Sequence, residues 1–179
     1  MLVLVVGPSG AGKDTLINAA KLALAGDARF VFPRRVVTRP AMAELEDHDS
    51  VTPEQFALHE ANGDYALTWE AHGLKYGLPA SIRDDIAMGR VVVMNGSRAM
   101  VPIARETLPG TVVVLVGASP QVRAQRLARR GRETAAQISA RLAREVDVDI
   151  PNAILVDNSG ELEQGKARFL AGLRSLRAN

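Results

Sequence analysis

GPSGAGKD, residues 7–14, decides the fold of this 179-residue chain. It follows the apolar run LVLVV at 2–6 and precedes a stretch of helical character from Lys13 onward. Gly7, Gly12 and Lys13 match G-x-x-x-x-G-K, the phosphate loop that joins a strand to a helix. The glycines let the backbone curl so that successive N–H groups face phosphate oxygens, and the helix N-terminus adds its positive dipole end. Gly7, Pro8, Ser9, Gly10, Ala11, Gly12, Lys13, Asp14 and Thr15 are therefore the expected ATP-binding residues, with Lys13 bridging the terminal phosphates.

One position departs from the motif. Ser or Thr ordinarily follows the Lys and binds Mg²⁺; here Asp14 does, with Thr15 after it. A carboxylate is a good ligand for a hard cation, so Asp14 is a candidate Mg²⁺ contact, direct or through water. An Asp in a first helical turn also suits the helix dipole without any metal, and both readings stand.

Outward from the loop, short Val-rich runs alternate with amphipathic stretches. The runs at 2–6, 30–37, 91–94, 112–116 and 154–156 predict strands buried on both faces. Helices are expected at 13–24, 81–88, 99–107, 120–129, 135–146 and 161–176. This order predicts an α/β protein, a P-loop NTPase with a parallel five-stranded core sheet between helical layers. The rhythm breaks between 38 and 77, where no long Val-rich run occurs. That region reads as an insertion at the carboxyl edge of the sheet, where such folds bind ligands. It holds one expected helix, 53–62, with Thr52 as N-cap, Pro53 at the first helical position and Gln55 completing a capping box.

Composition narrows the chemistry. There is no cysteine, which excludes disulfides, thiolate metal sites and cysteine nucleophiles. This suits a reducing compartment, and a cytoplasmic protein is expected. A net charge of +2 gives no whole-molecule field toward nucleic acid or membrane, so neither is an expected partner. Of the 22 basic residues only four are Lys (13, 21, 75 and 166), and the other 18 are Arg, whose planar fork holds phosphate bidentately. Length alone favours one domain.

Four further segments line up in order with the guanylate kinases: VTRP at 37–40, HGLKYG at 72–77, MNGSR at 94–98, and RRGRE at 129–133 followed by ARL at 140–142. The resemblance spans nearly the whole chain. It implies a core at 1–37 and 78–179, a lid at about 129–141, and an acceptor-binding insertion at 38–77. The departures fall on the acceptor side, where HDSV at 48–51 also replaces the Tyr that helps guanylate kinases hold the acceptor phosphate. Their base-binding Glu is Leu67 here, their second Arg is Met42, the Ser after their YYG is Leu78, and their strand-end acid is Asn95. A site without its hydrogen-bond partners for a base should discriminate among bases poorly.

A narrower family fits better. GPSG-x-GKD, TR, W-x-A-HGL-x-YG, NGSRA and RGRE…I-x-ARLAR together resemble the ribose 1,5-bisphosphate phosphokinases of phosphonate catabolism. The resemblance implies transfer of the γ-phosphoryl of ATP, with Mg²⁺, to the 1-phosphate of ribose 1,5-bisphosphate, giving 5-phosphoribosyl 1-diphosphate. It implies that Arg39 grips the acceptor phosphate and that Tyr76 bonds a phosphate oxygen, unless Tyr76 is simply a packed ring. Asn95 would face the acceptor or the Mg²⁺ shell, with Arg98 nearby at a helix start. There an Arg opposes the dipole and calls for a ligand or acid. Arg130 and Arg141 would stabilise the transferring phosphoryl. Asp157 or Asn158, in a segment similar to the adenine-side loop of these kinases, would touch the base. Trp69 and His72 would support the acceptor region. Arg123, Arg129 and Arg144 read as solvated charges outside the site. A nucleotide kinase of altered specificity, or an inactive phosphopeptide-binding module of the same fold, are the competing readings.

Overall fold

The computed structural model describes residues 1–39, 48–71, 73–129, 134, 136–137, 139, 142 and 150–176. Two sheets carry the site. The first is wholly parallel and has the order β2-β7-β1-β8-β9, built from β1 (Leu2–Val6), β2 (Phe30–Val31), β7 (Val91–Asn95), β8 (Val112–Gly117) and β9 (Ile154–Asp157). Its central strand β1 is buried along its whole length, as its unbroken apolar sequence demands. The period of two splits that strand between two cores. Leu2, Leu4 and Val6 pack with Leu78, Ile82 and Met100 on one face. Val3 and Val5 pack with Leu16, Ala20, Phe169 and Leu173 on the other. The latter four come from α1 (Lys13–Ala23) and α6 (Leu162–Ser175), which lie together on that face. The remaining helices are α2 (Pro53–Ala61), α3 (Ile82–Ala87), α4 (Met100–Thr107) and α5 (Pro120–Arg129). The expected α/β fold around the phosphate loop is thus present, and the helices expected at 13–24, 81–88, 99–107, 120–129 and 161–176 each fall within a residue or two of their expected ends.

The run 30–37 does not form the single strand expected. Phe30 and Val31 pair with β7 in the core sheet, whereas Arg35–Val37 forms β3 of a second sheet. Pro33 lies between them and has no N–H to give a ladder, so the chain leaves one sheet there and enters the other.

The second sheet has the order β4-β3-β6-β5, with β4 (His48–Ser50), β5 (Tyr65–Ala71) and β6 (Leu74–Pro79). Only β3 and β4 run parallel. Its strands mix polar with apolar residues, so none of them forms a continuous apolar run in the sequence. Helix α2 covers part of it. Thr52 caps that helix through the Gln55 N–H, and the Gln55 side chain accepts from the Thr52 N–H at 2.9 Å, the expected capping box with Pro53 at its start. Phe56 of α2 is fully buried and stacks on Tyr65, ring centroids 4.6 Å apart. Among the described residues no helix is long and apolar enough to cross a membrane.

Candidate active site

The carboxyl ends of β1, β7, β8 and β9 lie side by side, because the parallel register aligns Val5 with Asn95, Val6 with Leu115, and Gly117 with Asp157. The phosphate loop grows from that edge. Gly7 has φ +148°, and a Cβ there would lie 2.1 Å from the Val116 carbonyl oxygen, so the loop leaves the sheet where only glycine fits. Gly12 has φ +93° and opens α1 from the left-handed region. The Lys13 Nζ donates to the carbonyls of Gly7 (2.8 Å) and Pro8 (3.2 Å), so the amine lies folded over the loop.

The outer side of the loop is held by groups that sequence reasoning had set aside or missed. The Arg123 Nε donates to the Ser9 carbonyl at 3.0 Å, and the residue is 8% exposed. Its expected role as a solvated charge is therefore corrected. Position 123 falls on the buried face of α5 beside Leu127, where the guanidinium finds a backbone acceptor. Burial, and secondarily the charge of Arg98, lowers the Arg123 pKa, which places Arg98 close to this loop. Arg126 donates to the Ala11 carbonyl (3.3 Å) and to the Asn158 carbonyl (2.9 Å). The Asn158 Nδ2 donates to the Ala11 carbonyl at 2.7 Å.

Asn158 was expected at the adenine. It is 1% exposed and lies beneath the loop, wedged between Gly12 and Gly165, where a Cβ would meet its side chain at 2.5 and 2.1 Å. Its buried amide faces the backbone of the loop and not solvent. Asp157 stays exposed, but its Oδ1 accepts from the Ser159 N–H (3.0 Å) and hydroxyl (2.6 Å) and so shapes its own turn. Those bonds hold its carboxyl below the ordinary value of 3.8.

The consequence for phosphate binding follows from peptide geometry. The described backbone has no cis bond, so each carbonyl is antiparallel to the next residue's N–H. Holding the Ser9 and Ala11 carbonyls against α5 and Asn158 turns the Gly10 and Gly12 N–H groups the opposite way. Charge-assisted bonds at the oxygen end also polarise those peptide units and strengthen their N–H ends as donors. The loop is a built anion cradle, and the residues fit the phosphates of a nucleotide.

At the other side of the loop, the Asn95 Nδ2 donates to the Asp14 Oδ1 at 2.5 Å. Asp14, which departs from the usual phosphate-loop motif, and Asn95, which replaces the strand-end acid of guanylate kinases, thus meet, because the end of β7 faces the first turn of α1. Among the described residues no cluster of three or more His, Cys, Asp or Glu is arranged for a metal. A carboxylate beside a phosphate loop nevertheless suits Mg²⁺, which keeps several waters and binds through one or two carboxylates plus substrate phosphates.

The residues expected on the acceptor side lie on and beside the second sheet. Thr38 is pinned to β6 through Lys75: its N–H donates to the Lys75 carbonyl (3.0 Å), and its hydroxyl oxygen accepts from the Lys75 N–H (2.9 Å). Arg39 follows directly, half-buried. Tyr76 stacks on Trp69 at 5.2 Å with planes 10° apart, and the Arg35 guanidinium lies 5.8 Å from the centre of the Tyr76 ring. Leu67 and Leu78 are cross-strand partners, 3% and 0% exposed. The expected catalytic residues Arg130 and Arg141, with His72, Met42 and Arg144, lie outside the described residues, as does most of the helix expected at 135–146.

No protein-family model matches the chain. It is similar to the ribose 1,5-bisphosphate phosphokinase PhnN of Brucella melitensis, 48% identical over 97% of this chain and 92% of that protein. The protein of the same name from Methylobacterium radiotolerans is 49% identical over 97% of both. Among solved structures, a guanylate kinase from Anaplasma phagocytophilum superimposes with a TM-score of 0.70 at 21% identity, covering 99% of this chain and 87% of that one, a likeness of fold.

Proposed function

Since the chain belongs to the ribose 1,5-bisphosphate phosphokinase family, we propose that it transfers the γ-phosphoryl of ATP to the 1-phosphate of ribose 1,5-bisphosphate, giving 5-phosphoribosyl 1-diphosphate and ADP. The chain is a phosphotransferase with the guanylate kinase fold. One observation carries the choice of acceptor within that fold. The two positions at which guanylate kinases present Glu and Ser to the base are a buried Leu67–Leu78 pair, which offers a base no hydrogen bond.

The chemistry needs no general base, because a phosphate acceptor is already anionic near neutral pH. An oxygen of the acceptor phosphate bonds to the γ-phosphorus as the bond to the β,γ-bridging oxygen breaks, and ADP leaves with that electron pair. The protein contributes position and charge. The Gly10 and Gly12 N–H groups and Lys13 hold the phosphates, and Lys13 offsets charge on the bridging and terminal oxygens. Arg39 and Tyr76 orient the acceptor phosphate, with Asn95 beside it. Arg98, near Arg123, adds positive charge at the loop. Arg130 and Arg141 are assigned the stabilisation of the transferring group, where comparable Arg contacts give on the order of 10³-fold or more in rate. Mg²⁺, when bound, neutralises phosphate charge; Asp14 is its proposed protein ligand, directly or through water, with Asn95 fixing the carboxylate. A cysteine-free chain suits the proposed cytoplasmic site of action.

The test is ADP release from Mg·ATP with ribose 1,5-bisphosphate or GMP as acceptor. Turnover is expected with the sugar bisphosphate. Robust turnover of GMP with none of the sugar would overturn the assignment.

A further inference from the structure

The core sheet and the second sheet border an open cleft of about 100 Å³ that runs along α1 away from the phosphate loop. Its near end is the bonded pair Asp14 and Asn95. Asn18 and then Lys21 follow Asp14 along α1, and Arg35 lines the same cleft from β3. Asp14, Asn18 and Lys21 are spaced i, i+4, i+7 and so share one face of the helix. At 1.5 Å rise per residue, Asp14 and Lys21 lie about 10 Å apart along the axis. A pentose with a phosphate at each end is of that size.

The two ends differ in charge. Asp14 is the acid among the described residues lining the cleft, and it sits at the end where Lys13 and the loop supply compensating positive charge. Besides Asp14 and Asn95, the polar side chains of the lining are an ammonium, a guanidinium and a neutral amide. Arg35 is also pre-ordered. It is half-buried, and its guanidinium lies over the Tyr76 ring, itself stacked on Trp69. A guanidinium held in place loses little freedom on binding and presents its fork bidentately.

We propose that Arg35, with Lys21 and Asn18, forms the subsite for the second phosphate of the acceptor, the one on the sugar carbon remote from the transfer. This rests on the sugar-bisphosphate reading above and extends it. It assigns Arg35 a specificity role and gives the Trp69–Tyr76 stack the task of positioning it. A nucleoside monophosphate places no anion there, so the same pair favours a bisphosphate over a nucleotide acceptor.

The experiment compares ribose 1,5-bisphosphate with ribose 1-phosphate, which lacks only the remote phosphate, in the wild type and in Arg35→Met, Arg35→Lys and Lys21→Met. ATP affinity by calorimetry reports folding of the core. For Arg35→Met, KM for the bisphosphate should rise about 10- to 100-fold, as expected for loss of a charge-assisted bond. Activity on ribose 1-phosphate and ATP affinity should stay as in the wild type. Arg35→Lys should fall between. Lys21→Met, at an exposed helix position, should show the same selectivity with a smaller loss. An equal loss on both acceptors, or an unchanged preference for the bisphosphate in Arg35→Met and Lys21→Met alike, overturns the subsite while leaving the proposed function standing. A wild type that phosphorylates GMP and neither sugar overturns both.

Discussion

At the nucleotide end of the cleft, the ligand is to be held mainly by backbone; at the acceptor end, by side chains. The loop 7–14 has its Ser9 and Ala11 carbonyls fixed by Arg123, Arg126 and Asn158, of which Arg123 and Asn158 are buried. The second sheet offers Arg35 and Tyr76 from short strands, with Arg39 two residues beyond the end of β3. A backbone site is as rigid as what lies behind it, so it has to be built into the core. A side-chain site needs only a platform and room.

If the two ends are separable in this way, damage to one should spare the other. Phe56 is the largest buried side chain of the acceptor region. Phe56→Ala should destabilise the protein by about 3–5 kcal/mol in denaturant unfolding and raise KM for the acceptor, with ATP affinity within about twofold of the wild type. A parallel loss of ATP affinity would break the comparison. Asn158→Ala tests the other end. It removes the donor to a buried carbonyl and should cost about 1–3 kcal/mol of stability. Calorimetry should show weakened ATP binding, while the ratio of KM values for two acceptors stays unchanged. Intact ATP binding in this variant would mean that the loop holds its shape without support from below.

The smallest effect concerns pH. The Ser159 bonds depress the Asp157 pKa below its ordinary 3.8, so the folded state favours the carboxylate. That contribution is present above the unfolded pKa and is lost as pH falls through the folded one. Asp157→Asn should therefore lower the melting temperature slightly near neutral pH, and the difference from the wild type should vanish as pH falls below 3.8. A difference that persists in acid would show that the carboxylate charge is not what orders the turn beside the loop.

Much of this was legible in one dimension. The Val-rich strands and the phosphate loop announced themselves because each is a local pattern: continuous burial on two faces, and glycines where the backbone must curl. The capping box of α2 was legible for the same reason. The split of 30–37 was not, since Val36 and Val37 look no different from strand residues of the core sheet, and only the partner strands tell which sheet claims them. The strands of the acceptor region were missed because they mix polar and apolar residues and none forms a continuous apolar run.

The residues around the site divide likewise. By itself the sequence determined that the chain binds nucleotide phosphates, through glycines and a lysine whose spacing is a property of one turn of backbone. It also marked Leu67 and Leu78 as places where a base would find no partner. Only the tertiary structure decided that Arg123 is a support and not a solvated charge, that Asn158 lies buried under the loop, and that Arg35 shares a cleft with Lys21. Those roles depend on what a side chain meets across 14, 114 or 147 residues of chain. A guanidinium or an amide has the same composition whether water or a buried carbonyl faces it, and only packing determines which it meets.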